Sequence, residues 1–121
     1  LIQTDSAVNE SSKSILYPVV VDHLNRAKAD EIHLFSDLRE NSFINLYNYK
    51  NILELRRNYQ EIRSAFEQIE LKEGKAKIYL YHKIEDYDSG MEFQFMIQLY
   101  KSLLEPKGYE VLVGNINPLT S

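Results

Sequence analysis

Three short apolar runs alternate with longer segments of helical periodicity, and this alternation constrains the fold more than any other feature of the sequence. The runs lie at residues 31–37, 77–82 and 109–113. Strands that alternate with helices form parallel sheets through βαβ crossovers, with the strands in sequence order. The sequence therefore predicts an α/β fold of the Rossmann-like kind, in which a mostly parallel sheet has helices on both faces and makes three layers.

The helical segments lie before and between these runs. Apolar residues recur at three- and four-residue steps in segments 12–29, 50–71 and 90–104, the spacing of amphipathic helices. Pro18 is tolerated if the first helix begins near Tyr17, and is costly if it begins earlier.

The first helical segment has candidate N-cap residues, but its run of valines is also compatible with a strand. Asn9, Ser11 or Ser12 can cap the helix. The β-branched run 19–21 leaves a strand as the alternative.

Length and composition indicate one domain. The chain has 121 residues, of which 44% are hydrophobic and 26% charged, as in ordinary globular proteins. Residues 1–121 are therefore expected to form a single α/β domain or the C-terminal part of one, since Leu1 is not an initiator methionine. A first strand at the sheet edge would leave backbone groups unpaired, so we expect it to meet a missing N-terminal part of the same polypeptide or a second copy in a homodimer.

Composition also excludes several function classes. The formal charge of −4 disfavours nucleic acid as a partner. Without cysteine there is neither a disulfide nor a thiolate zinc site, and the four glycines form no phosphate-binding loop. Because no apolar run approaches the length of a membrane span, we expect a soluble protein, with a cytoplasmic location favoured.

The best candidate site follows the first strand. Ligands of open parallel sheets gather beyond the carboxyl ends of the strands, where Ser36 and Asp37 stand. Their oxygen atoms are ligands that Mg²⁺ or Ca²⁺ prefers, and Ser12 could add a hydroxyl. The alternative is that Asp37 caps a turn while Ser36 satisfies backbone groups.

A second acidic loop precedes the last helical segment. Asp86 and Asp88 can hold a metal, but helix N-capping explains them better. The three histidines, His23, His33 and His82, lack ligand spacing, which favours packing roles.

Polar and aromatic residues behind Asp37 are candidates for contact with a protein partner. Tyrosines can anchor such contacts, although half-buried core tyrosines explain them as well. The predicted partner-binding residues are Arg39, Glu40, Asn41, Tyr47 and Tyr49.

The run Ile32-His-Leu-Phe-Ser-Asp-Leu-Arg-Glu-Asn-Ser42, with the aromatic loop and helix behind it, resembles von Willebrand factor A-like (VWA-like) domains. In that family a buried strand ends in Ser-Asp, and Gly108-Tyr-Glu-Val-Leu resembles the last strand. The family's aspartate belongs to a metal-ion-dependent adhesion site, completed by an Asp-x-Ser-x-Ser loop and a separate Thr or Ser.

The resemblance implies roles for individual residues. Asp37 matches the final acidic member of the family's site, Ser36 its neighbour, and Ser11 or Ser12 the hydroxyl-bearing loop. No Asp-x-Ser-x-Ser occurs in the sequence, so the resemblance covers the second half of the fold only.

Two functions are compatible with these observations. The first is a non-enzymatic protein-interaction domain with a degenerate Mg²⁺ or Ca²⁺ site at the carboxyl end of the sheet. The second is a small Mg²⁺-dependent hydrolase or nuclease that uses Asp37, Asp86 and Asp88 to activate water. No cofactor is certain, and the first function is favoured.

Overall fold

A three-stranded parallel sheet lies at the centre of the protein. The computed structural model describes residues 14–27 and 29–114. Its strands are β1 (Glu31–Phe35), β2 (Lys77–Tyr81) and β3 (Glu110–Val113), in the order β1-β2-β3 with both pairings parallel. This confirms the predicted α/β order, and β1 lies at an edge of the sheet as expected.

Helices precede the sheet and connect its strands. None of them, within the described residues, has the length and apolarity needed to cross a membrane. They are α1 (Tyr17–Asp22) with a π-helical turn (His23–Ala27), α2 (Ile52–Arg57), α3 (Tyr59–Glu67) and α4 (Tyr87–Leu104), with 3-10 turns at Leu46–Asn48 and Glu105–Lys107.

The first helix begins where its proline permits. Pro18 stands in the first turn of α1, where a missing N–H removes no helical hydrogen bond. The strand alternative for residues 19–21 is therefore wrong. The expected caps Asn9, Ser11 and Ser12 lie outside the described residues.

The helix predicted over residues 50–71 is divided into α2 and α3 at Asn58. This residue leaves helical geometry, at φ −105° and ψ 21°. Its side-chain amide donates a hydrogen bond of 2.8 Å to the Glu54 carbonyl, a local contact by which asparagine competes with the helical backbone. The apolar periodicity nevertheless continues through the break, because Leu55 before it and Ile62 after it are both buried.

A capping box starts α4 three residues earlier than predicted. Asp86 accepts a hydrogen bond of 2.7 Å from the Ser89 N–H, and the Ser89 hydroxyl accepts one of 3.2 Å from the Asp86 N–H. Two otherwise unpaired N–H groups are thereby satisfied. The capping interpretation of Asp86 is confirmed.

The core lies on one face of the sheet. Tyr17 of α1 contacts Phe66 of α3 and Tyr100 of α4, with ring centroids 5.0 and 5.5 Å apart, so these helices pack together. Alternate strand side chains complete the same cluster, namely Ile32, Leu34, Ile78, Leu80 and Val111.

The described residues supply one of the two predicted helix layers. Right-handed crossovers between strands in sequence order place every connecting helix on the same face of the sheet. Consistent with this, the apolar side chains of the other face take no part in the core cluster. They are only half-buried or exposed and include Phe35, Tyr79, Tyr81 and Leu112.

Candidate functional site

Two consecutive side-chain turns shape the segment that follows β1. The Ser36 hydroxyl accepts a hydrogen bond of 2.9 Å from the Leu38 N–H, and Asp37 Oδ1 accepts one of 2.9 Å from the Arg39 N–H. Ser36 itself donates its N–H to the Tyr81 carbonyl at 2.9 Å, which continues the β1–β2 pairing. The turn-forming roles of Ser36 and Asp37 are thus confirmed.

Leu38 turns the chain sharply at this point. Its φ of 66° lies in the left-handed region, which costs a residue with a Cβ roughly 1–2 kcal/mol. Its side chain is fully buried, and burial of a leucine contributes about 1.5–3 kcal/mol. Burial therefore offsets the strain, and it leaves the preceding residue, Asp37, partly exposed at the end of the sheet.

Arg39 joins the loop after β1 to helix α4. One guanidinium nitrogen donates to Glu92 Oε1 at 3.0 Å, and the other donates to the carbonyls of Leu46 and Tyr49 at 2.9 and 3.1 Å. The guanidinium also lies 5.1 Å from the centre of the Tyr47 ring. Only 9% of Arg39 is exposed, so its charge interacts with groups inside the protein.

Glu40 caps α1 from a distance in sequence. Its carboxylate accepts hydrogen bonds from the N–H groups of Leu16 and Tyr17 at 3.0 and 2.9 Å, and from the Ser42 hydroxyl at 2.5 Å. Negative charge is favourable at a helix N-terminus, and these N–H groups lack helical partners. Burial raises the pKa of the Glu40 carboxyl, although the hydrogen bonds act in the opposite direction.

Tyr47 stands beside Asp37 at the edge of the loop. Burial first, and then the charge of Asp37, raise the pKa of the Tyr47 hydroxyl, which lies near the side chains of Asp37 and Ser14. About half of the residue, 51%, remains exposed. We call the group Ser14, Ser36, Asp37 and Tyr47 the Asp37 rim.

The predicted partner-binding residues divide into a base and a surface. Arg39 and Glu40 are buried and hydrogen-bonded, so they brace the loop from within. Asn41 donates its N–H to the Ser14 carbonyl at 2.9 Å, and Tyr49 packs against the core. Tyr47 is the one of the five with most of its surface accessible.

The carboxylates needed by the hydrolase hypothesis are not assembled. Among residues 14–27 and 29–114, no three His, Asp or Glu side chains are grouped so that they could hold a metal ion. Asp86 caps the N-terminus of α4 through its hydrogen bonds with Ser89. The metal ligand predicted at Ser12 lies outside the described residues.

The histidines take part in packing and in a network that sequence analysis missed. His82 packs against Phe93, with ring centroids 5.2 Å apart. His33 Nδ1 is 2.8 Å from the Tyr81 hydroxyl, and its Nε2 is 3.1 Å from Glu31 Oε1. A period-two pattern could have placed Glu31 and His33 on one face, but only the strand register brings Tyr81 beside them.

Comparison with known proteins returned no relative. No family model matches the chain, and neither the curated proteins nor the solved structures contain a match.

Proposed function

We propose that this chain is a non-enzymatic protein-interaction domain of the VWA-like kind, which binds a protein partner at the Asp37 rim. The observation that carries the proposal is the pairing of a partly exposed carboxylate, Asp37, with a half-exposed tyrosine ring, Tyr47, at the carboxyl end of the sheet. This is the edge where parallel sheets collect their ligands.

The support beneath the rim favours binding over catalysis. Arg39 holds the Leu46 and Tyr49 carbonyls and lies under the Tyr47 ring, so the loop is ordered before a partner arrives. A contact surface that is already ordered loses little conformational entropy on association, and rigid tyrosines are frequent anchors of interfaces. Tyr47 would supply the apolar contact and Asp37 the charge.

A divalent cation would be a conditional part of this interaction. Asp37 and Ser36 can supply a carboxylate and a hydroxyl oxygen, the ligand types of Mg²⁺ and Ca²⁺. Both ions require more oxygen ligands than these two, which a carboxylate of the partner or Ser12 would add. We therefore expect the protein alone to bind Mg²⁺ weakly.

Calorimetry and an activity assay distinguish this function from the hydrolase. Mg²⁺ and Mn²⁺ are titrated into the wild type and Asp37→Ala, and both proteins are tested for phosphodiester cleavage. The proposal expects weak heat signals that Asp37→Ala abolishes, and no turnover in either protein. Metal-dependent turnover lost in Asp37→Ala would instead establish the hydrolase.

Peptide selection tests the interaction itself. A random peptide library displayed on phage is selected on the immobilised protein, with and without Mg²⁺, and the enriched peptides are synthesised. We expect Tyr47→Ala and Asp37→Asn to weaken their binding about tenfold or more. Leu53→Ala is the matched control, because Leu53 is 61% exposed on α2, outside the rim. Peptides that bind all four proteins equally would contradict the proposal.

A further inference from the structure

The face of the sheet opposite the core carries an ordered set of side chains, which we call the outer sheet face. The strand register arranges them in rows across the sheet. The first row is charged, and the other two consist mainly of aromatic side chains. The rows are Glu31–Lys77–Glu110, His33–Tyr79–Leu112 and Phe35–Tyr81.

The rings of this face stack on one another. His33 and Tyr79 lie 4.7 Å apart with planes 3° from parallel, and Phe35 and Tyr81 lie 4.3 Å apart at 8°. Because side chains stand roughly perpendicular to a sheet, rings stacked between neighbouring strands direct their edges outward. Nucleobases need an exposed ring face on which to stack. The outer sheet face therefore suits aliphatic side chains that pack between ring edges.

Two polar side chains of the aromatic rows, His33 and Tyr81, already have partners within the face. The Tyr81 hydroxyl meets His33 Nδ1 at 2.8 Å, and His33 Nε2 meets Glu31 at 3.1 Å. Covering a polar group is costly when it loses a hydrogen bond to water without gaining another. Here the hydrogen bonds persist on covering, so an apolar partner can bury His33 and the Tyr81 hydroxyl at low cost.

The dimensions of the face indicate what can cover it. Three strands of about five residues span roughly 14 by 17 Å, an area near 240 Å². Two folded copies in a stable interface each bury about 800 Å² of accessible surface, so they would need contacts well beyond this footprint. A single α-helix is about 10 Å wide and reaches 16 Å in about three turns, which matches the face.

The charged row of the face indicates which side chains the bound helix should carry. Glu31 and Glu110 stand on the two outer strands, with Lys77 between them in the same row. A helix laid along the strands would meet a carboxylate on each side of its apolar stripe. Basic residues flanking that stripe would complement both.

We propose that the outer sheet face binds one amphipathic helix of a partner protein, with an aliphatic stripe against the aromatic rows and basic side chains toward Glu31 and Glu110. The stacked rings and the satisfied His33–Tyr81 pair carry this inference. It uses a different surface from the Asp37 rim, so either proposal can fail without the other.

A model peptide tests the proposal on the full 121-residue chain. The probe is a fluorescein-labelled helical peptide of about 14 residues, roughly 21 Å long, with leucines at helical spacing and lysines elsewhere. Fluorescence anisotropy should show saturable binding. We expect Tyr79→Glu to weaken it about tenfold or more, equivalent to about 1.4 kcal/mol or more, whereas Leu53→Glu should leave it unchanged.

Two further measurements keep the test decisive. Glu31→Lys alters an exposed side chain, so it should weaken binding while the circular dichroism spectrum stays that of the wild type, even if Tyr79→Glu does not fold. A peptide with glutamates in place of the lysines should bind about tenfold more weakly. Absence of binding to the wild type, or binding to Tyr79→Glu and Glu31→Lys as tight as to the wild type, would overturn the proposal. Self-association that Tyr79→Glu abolishes would assign the face to a second copy instead.

Discussion

Glu40 caps the helix that begins at Tyr17, because its Oε1 accepts a hydrogen bond of 2.9 Å from the Tyr17 N–H across 23 residues of sequence. The same carboxylate also holds the N–H of Leu16 and the hydroxyl of Ser42. One fully buried side chain thus joins α1 to the loop that follows β1. The stability of both segments should depend on it.

Removing the Glu40 carboxylate should destabilise the protein strongly. Glu40→Ala leaves two buried N–H groups without acceptors, which costs about 2–4 kcal/mol of unfolding free energy. Urea denaturation followed by circular dichroism measures the change. Glu105→Ala, an exposed glutamate at the end of α4, is the control and should change stability by less than about 0.5 kcal/mol. Equal effects of the two substitutions would show that the cap contributes nothing.

The contribution of Glu40 to stability should depend on pH with a defined sign. Burial raises the pKa of Glu40 in the folded protein above its unfolded value of 4.5, so the folded state binds the proton more tightly. The resulting stabilisation is complete below the unfolded pKa and is lost as pH rises through the folded pKa. The wild type should therefore gain stability relative to Glu40→Gln as pH falls from about 7 toward 4. A difference that grows with rising pH would contradict this assignment.

The longer of two arginine ion pairs should contribute more to the stability of the protein than the shorter one. The Arg39–Glu92 pair is 3.0 Å long and mostly buried, whereas Arg26–Asp22 is 2.7 Å long and exposed. Arg39→Ala should cost about 3 kcal/mol, because Glu92 loses its charge partner and two carbonyls lose donors. Arg26→Ala should cost less than about 0.5 kcal/mol. Comparable losses in urea denaturation would rule out the bracing role of Arg39.

The left-handed conformation of Leu38 should reverse the usual order of alanine and glycine. At Leu55, fully buried in α2, glycine should be about 1 kcal/mol worse than alanine, as in any helix. At Leu38, φ is 66°, which glycine adopts without strain. Leu38→Gly should therefore be as stable as Leu38→Ala or more stable by about 1 kcal/mol, although both lose the buried side chain. The same order at both positions would show that Leu38 carries no backbone strain.

Much of the fold follows from interactions that are close in sequence. The three strands were predicted from their apolar runs. The first helix was predicted from about Ser12, but it begins at Tyr17, the start at which Pro18 is tolerated. The capping role of Asp86 was also predicted, because its partner Ser89 is only three residues away. The division at Asn58 was missed, since apolar periodicity continues through it.

The sequence by itself determined the order of strands and helices and the turn chemistry of Ser36 and Asp37, because these depend on periodicity and on hydrogen bonds between near neighbours. Only the tertiary structure decided the roles of Arg39 and Glu40. Sequence analysis predicted both as partner-binding, but packing buries them against groups up to 53 residues away. Tertiary structure likewise decided which side chains meet on the outer sheet face, because His33 and Tyr81 become neighbours only through the register of β1 against β2. Such contacts depend on how elements pack in space, which spacing along the chain does not specify.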